Sequence, residues 1–157
     1  MFGVAGAAFL ASDTAVAQAG GDAVRNKEIL TQAYKRWHDT KGGSVEDWMA
    51  ILDDKISFGS LAEGKAMAPF TARLQGKPLL KTYFDGLLTN WSMIHFTPSH
   101  FIAESDWVVM VGSNAWRNKS TGKVFETPKV DVWRMREGRA VEFYEFYDTA
   151  GLKEAAT

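Results

Sequence analysis

Apolar residues in this chain change their spacing once, and that change sets the fold class. Up to about residue 90 they recur at three- and four-residue intervals, the period of a helix; from Met93 onward they alternate, the period of a half-buried strand. Ile29, Ala33 and Trp37, with Leu30 and Tyr34, form the stripe of a first helix that opens near Asp22 and ends at Gly42-Gly43. Ser44 opens a shorter second helix, with Asp47 at the capping-box position. A short strand at 55–58 follows, then a Gly- and Ala-rich loop over 59–75, long enough for a lid or rim. Gly76-Lys77-Pro78 starts a third helix, whose stripe is Leu79, Leu80, Tyr83, Phe84, Leu87 and Leu88. Strands are expected at 93–104, with a bulge or edge position at Pro98, at 107–117, and at 123–136 and 139–147 across a Glu137-Gly138 turn. Helices followed by consecutive hairpins predict an α+β fold, with the helices on one face of an antiparallel sheet.

The 157 residues, 46% of them hydrophobic, suffice for one packed domain, expected over 22–152 with a tail at 153–157. Lys and Arg number 18 against 19 Asp and Glu, so no net positive field draws the chain to nucleic acid or to an anionic membrane. The absence of cysteine removes disulfides, thiolate metal sites and a cysteine nucleophile. Six Trp, four Tyr and ten Phe suit a thick core or an aromatic-lined pocket. Residues 1–21 hold no Lys or Arg, and within them Ala-Val-Ala-Gln-Ala ends at Ala19, a form that signal peptidase accepts. They read as an export signal, which would place the protein in the periplasm or outside the cell, or as a flexible arm on a cytoplasmic one.

The last hairpin decides which side chains share a face. On 123–136, Phe125, Thr127, Lys129, Asp131, Trp133 and Met135 lie on one side. A two-residue Glu137-Gly138 turn would set Asp131 opposite Tyr144. A three-residue loop with Gly138 left-handed would set Lys129 opposite Glu145 and Asp131 opposite Phe143, and is favoured because Arg136-Glu137-Gly138 suits a type I turn with a glycine bulge. Phe143, Glu145 and Tyr147 then join Lys129, Asp131 and Trp133, two acids and a lysine inside an aromatic wall. The cluster reads as a structural ion pair, Lys129–Glu145, with Asp131 held by a hydroxyl. It also reads as a pocket in which burial raises Asp131 while Lys129 keeps Glu145 ionised, which splits the two into an acid and a base.

Tyr34-Lys35-Arg36-Trp37, Ile51-Leu52-Asp53-Asp54 and Leu74-Gln75-Gly76 resemble the nuclear transport factor 2-like superfamily. The tail from Val130-Asp131-Val132-Trp133 through Arg139-Ala140-Val141 to Phe146-Tyr147-Asp148-Thr149-Ala150 is similar to its SnoaL-like, ketosteroid isomerase-related branch. The resemblance implies a cone-shaped barrel, a strongly curved and mainly antiparallel sheet around a pocket, with three helices in the N-terminal half and a homodimer through the sheet's outer face. It implies cofactor-free acid–base chemistry on a small apolar compound: isomerase, lyase or dehydratase, cyclase or hydrolase. A non-catalytic ligand-binding or association domain is the alternative. Asp131 matches the neutral acid and Tyr34 the tyrosine donor of an isomerase oxyanion hole, a site that is itself a standard illustration of a carboxylic acid kept protonated. The isomerase base falls near Gly59, which carries no carboxylate. Glu145 aligns with an acid of limonene-epoxide hydrolases, and a dehydratase-like reading uses His95 with Asp39. Phe58 and His38 complete the expected pocket, with Lys129, Trp133, Phe143 and Tyr147. No cofactor is expected, and no pair of histidines has the spacing of metal ligands.

Overall fold

The structure, a computed structural model, describes residues 7–157, with side chains from Gly21 onward. Of residues 1–21, expected as an export signal or flexible arm, residues 1–6 and the side chains before Gly21 lie outside the described residues. Helix α1 runs Ala7–Asp39, starting upstream of the cap expected at Asp22. It ends as the glycines predict: Gly42 sits at φ +89°, and its N–H returns to the Trp37 carbonyl at 3.0 Å. Helix α2, Val45–Ile51, follows Ser44, but no capping box forms, because Asp47 instead accepts from Arg36 at 2.8 Å. Strand β1 is Leu52–Ser60, longer than expected, and the segment after it folds into a 3-10 turn at Pro69–Thr71 and strand β2, Leu74–Gln75. Gly76, at φ +93°, and Pro78 open helix α3, Lys77–Asn90.

Strands β3 (Trp91–Glu104), β4 (Trp107–Asn118), β5 (Val124–Arg136) and β6 (Arg139–Phe146) complete a six-stranded sheet in the order β2-β1-β6-β5-β4-β3. The sheet is not closed: β2 and β3 are its edges, and β1 runs parallel to β6 while the other pairings are antiparallel. The cone-shaped barrel is thus corrected to an open sheet, mainly antiparallel as expected but with one parallel pair. The β3 ladder shifts register between Pro98 and His100, where the proline has no N–H to give. The expected tail is also corrected. Asp148 accepts from the N–H groups of Ala150 and Gly151 and caps a fourth helix, α4, Thr149–Ala156, whose Leu152 and Ala155 are buried.

The last hairpin reaches the expected faces by a different route. Arg136 pairs with Arg139, so the turn has two residues, Glu137 at φ 51° and Gly138 at φ 77°, the signature of type I′. The ladder then slips between Arg134 and Met135, leaving Val141 as the extra residue of a bulge. The slip restores the parity that the two-residue turn reversed. Asp131 therefore stands opposite Glu145, and Trp133 opposite Phe143. The shared face is as expected, while the individual partners are displaced by two residues.

Candidate functional site

The inner face of the sheet, α1, α2 and α3 enclose a cavity of about 70 Å³ whose wall is mostly aromatic, with Leu152 of α4 contributing. Tyr34 reaches it from the buried stripe of α1, Tyr83 from that of α3, and Lys129, Asp131, Trp133 and Glu145 from β5 and β6. Trp133 is stacked between two rings, Phe143 at 3.9 Å and Trp48 at 5.3 Å, both nearly parallel to it. That stack holds its indole N–H on the Tyr34 hydroxyl at 2.8 Å.

A continuous polar chain starts there. The Tyr34 hydroxyl donates to Asp131 Oδ2 at 2.5 Å. Lys129 Nζ lies 3.1 Å from Asp131 Oδ1, close enough for an ion pair but out of line for a hydrogen bond, and donates to Glu145 Oε2 at 2.6 Å. Tyr83 donates to the same Glu145 oxygen at 3.1 Å. The Lys129 ammonium also sits over the Tyr147 ring, 4.9 Å from its centre, and Tyr147 shares a hydrogen bond with Ser60 at 2.8 Å.

All three charged side chains are buried. Burial pushes the Asp131 carboxyl up to about 6; Lys129 opposes the rise and Glu145 adds to it. Burial alone would lower the Lys129 ammonium, but Asp131 and Glu145 outweigh it and hold the charge on. The Tyr34 and Tyr83 hydroxyls are raised well above the usual tyrosine range by burial and then by the neighbouring carboxylate, so both remain donors. The Asp131 carboxyl thus takes up its proton near pH 6, with Oδ2 held by the Tyr34 hydroxyl and Oδ1 beside the Lys129 ammonium.

The structure brings Tyr34, Lys129, Asp131, Trp133, Phe143, Glu145 and Tyr147 together on one cavity. It does not bring the others there. Asp39 lies exposed at the end of α1, paired with Lys35. His38 accepts the Phe96 N–H at 3.2 Å beside the sheet edge, and His95 bonds Thr97 and faces Glu126 at 3.5 Å. Phe58 is buried behind Tyr83 and Phe143 rather than in the lining. Gly59, the position of the missing isomerase base, packs under the Tyr144 ring, where any Cβ would collide. Tyr34 and Asp131 bond each other, so they do not form the side-by-side donor pair of an oxyanion hole. Tyr83 was read only as part of an apolar stripe, although a buried tyrosine hydroxyl needs a partner and that need was a usable signal. Asn114, another lining residue, was also missed. Among the described residues, no group of three or more acids and histidines is placed to hold a metal, and no helix is long and apolar enough to cross a membrane.

The SnoaL-like domain model matches residues 30–143, most of the chain. The chain belongs to the SnoaL-like domain family. Its SnoaL-like fold recurs in an NTF2-like protein from Burkholderia xenovorans LB400, at 22% identity over 86% of this chain and 98% of that one, with a TM-score of 0.71. TerC, co-crystallised with polyporic acid, is similar at 20% identity over 84% and 98%, with a TM-score of 0.69. A hypothetical protein with a ketosteroid isomerase-like fold from Catenulispora acidiphila DSM 44928, in complex with trimethylamine, is similar at 14% identity over 82% and 92%, with a TM-score of 0.66. At these identities the likeness is one of fold. No curated protein matches the sequence.

Proposed function

We propose that this SnoaL-like domain carries out cofactor-free proton transfer on a small, largely apolar compound held in the aromatic cavity, with Asp131 and Glu145 as the working acids. The observation that carries the reading is the Asp131 carboxyl: buried on the cavity wall, raised to about 6, with Oδ2 held by Tyr34 and Oδ1 met only by the Lys129 ammonium at 3.1 Å. Above that pH, Asp131 takes a proton from substrate or water; below it, the same carboxyl gives one. Lys129 joins the two carboxylates, so charge that leaves one is compensated at the other. Tyr34, itself held by Trp133, and Tyr83 are positioning residues, each fixing one carboxylate. Reactions within this reach are isomerisation, elimination, cyclisation and hydrolysis. Two relatives crystallised with small organic molecules, polyporic acid and trimethylamine, support a ligand-holding role for the fold.

A thermal-shift and turnover screen of the full chain against steroids, polyketide-like aromatics, lactones, epoxides and short hydroxy-ketones tests this. The expected result is one chemotype that raises the melting point and is turned over with a limb near pH 6. Asp131→Asn and Glu145→Gln should then abolish turnover while the fold persists. Binding without turnover by any member would move the protein to the second reading, a ligand-binding or association domain. One observation favours that alternative. Ile102, Val109, Val132 and Tyr144 run in register across the outer face of the sheet, with Ile102 60% exposed, a surface suited to a second copy of the chain. Sedimentation of wild type against Val109→Asp should show a dimer lost; a monomer in both would remove the association role.

A further inference from the structure

The inference below rests on the proposal that the cavity binds a small molecule, and it concerns what that molecule must carry. Three polar atoms on lining residues are buried without a hydrogen-bond partner: Asp131 Oδ1, Asn114 Oδ1 and the Trp48 indole N–H. Two are acceptors and one is a donor, so the wall as built lacks donors to meet it. Asp131 is accounted for by proton transfer. Asn114 is not.

Asn114 is only 5% exposed, on β4 between Phe96 of β3 and Thr127 of β5. Neither neighbour can serve its carbonyl. Phe96 is apolar, and the Thr127 hydroxyl already donates to the Pro128 carbonyl and accepts the Asp148 N–H. The inward positions beside it are Trp116 and Phe125 on one side, which pair with each other across β4 and β5, and Gly112 and Lys129 on the other, where the Lys129 ammonium is already engaged by Glu145 and Asp131. An amide oxygen set in an aromatic wall with nothing to accept from is unfavourable for the folded chain alone, and an apolar side chain of the same size would pack there at no such cost. Along the strands, Asn114 stands four residues from Met110, the partner of Asp131, or about 13 Å at the rise of a β-strand. It is therefore a second polar anchor, remote from the reacting oxygen.

We infer that the cavity selects ring compounds bearing a neutral hydrogen-bond donor, a hydroxyl or N–H, which Asn114 Oδ1 accepts at a distance from Asp131. A ligand that offers only an acceptor, or no polar group, displaces the water that can otherwise occupy this space and leaves the amide oxygen unmet. Sites built to bond a hydroxyl discriminate strongly against analogues that lack it, for this reason.

The test compares phenol, toluene and anisole by amide NMR titration of the full chain at pH 7.5. Phenol and toluene have nearly the same shape, and anisole keeps the oxygen but not the donor. Phenol should bind at least about tenfold more tightly than either of the others, and Asn114→Leu should bring the three within about twofold of one another. Binding of all three with equal affinity to wild type, or a preference for anisole, overturns the inference and leaves the binding cavity standing. A phenol preference that survives in a folded Asn114→Leu variant assigns the donor to Asp131 and also overturns it. Should Asn114→Leu not fold, the ranking of the three compounds by wild type decides alone. If none binds, the cavity reading falls and the inference with it.

Discussion

The two faces of the β5–β6 hairpin carry the same chemistry in opposite settings. Inside, Lys129 bridges Asp131 and Glu145, with every side chain at most 5% exposed. Outside, Arg134 bridges Asp106 and Glu142 at 2.7 and 3.0 Å, with the three side chains 36–46% exposed. The inner trio is desolvated, so each charge needs its partner. The outer trio is solvated, and its attraction is screened by water and salt. The two acids respond in opposite directions: burial raises Asp131, while the Arg134 guanidinium lowers Asp106. A pair of acids beside one cation becomes a candidate reaction centre through dehydration and not through its composition.

The sharpest way to break this comparison is to remove each cation. Lys129→Met leaves two buried carboxylates facing one another and should cost about 3–5 kcal/mol at pH 8, read from urea denaturation, and less at pH 5, where Asp131 takes up a proton. A loss that does not depend on pH would mean that lost packing dominates.

The pH dependence of stability comes next in size. Asp131 binds its proton more tightly in the folded chain than in the unfolded one. It therefore stabilises the fold fully below the ordinary carboxylate range, and that stability is lost as pH rises from about 4 through about 6. The change is on the order of 2–3 kcal/mol. Asp131→Asn should flatten this window in denaturation curves taken at a series of pH values. Asp106 contributes with the opposite sign, since its stabilisation is present at neutral pH and fades as acid is added.

Tyr34→Phe tests the link between α1 and the inner trio. Asp131 Oδ2 loses its donor, so the carboxylate is less stabilised and should titrate above about 6. The accompanying loss at pH 8 is about 2 kcal/mol, the size of a hydrogen bond to a charged group. Smallest is Arg134→Met on the outer face, which should barely move the denaturation midpoint at low salt and not at all at high salt.

Much of the inner face was legible because strand alternation is a local rule: Lys129, Asp131 and Trp133 must point one way wherever the strand lies. Their partners on β6 were harder to place. The bulge at Val141 has no glycine or proline to announce it, and only the parity of the slip saved the face assignment. His95, His38 and Asp39 show the limit from the other side. His38 was placed by its spacing from Tyr34, and His95 and Asp39 by the dehydratase-like resemblance, but which side of the sheet meets the cavity is decided by docking of α1 against β3, a long-range event that neither encodes. The parallel pairing of β1 with β6 is illegible for the same reason. Helix α4 was legible and was passed over, since Asp148 followed by Thr149-Ala150-Gly151 is an N-cap in its own right.

The claim that the inner trio is a poised proton-transfer site meets its most direct test in a carboxyl carbon-13 NMR titration of Asp131, assigned by its disappearance in Asp131→Asn. The account predicts a midpoint near 6, shifted upward in Tyr34→Phe. A midpoint near the ordinary aspartate value of 3.8, unmoved by the loss of the tyrosine hydroxyl, would contradict it and leave the cluster as a structural ion pair.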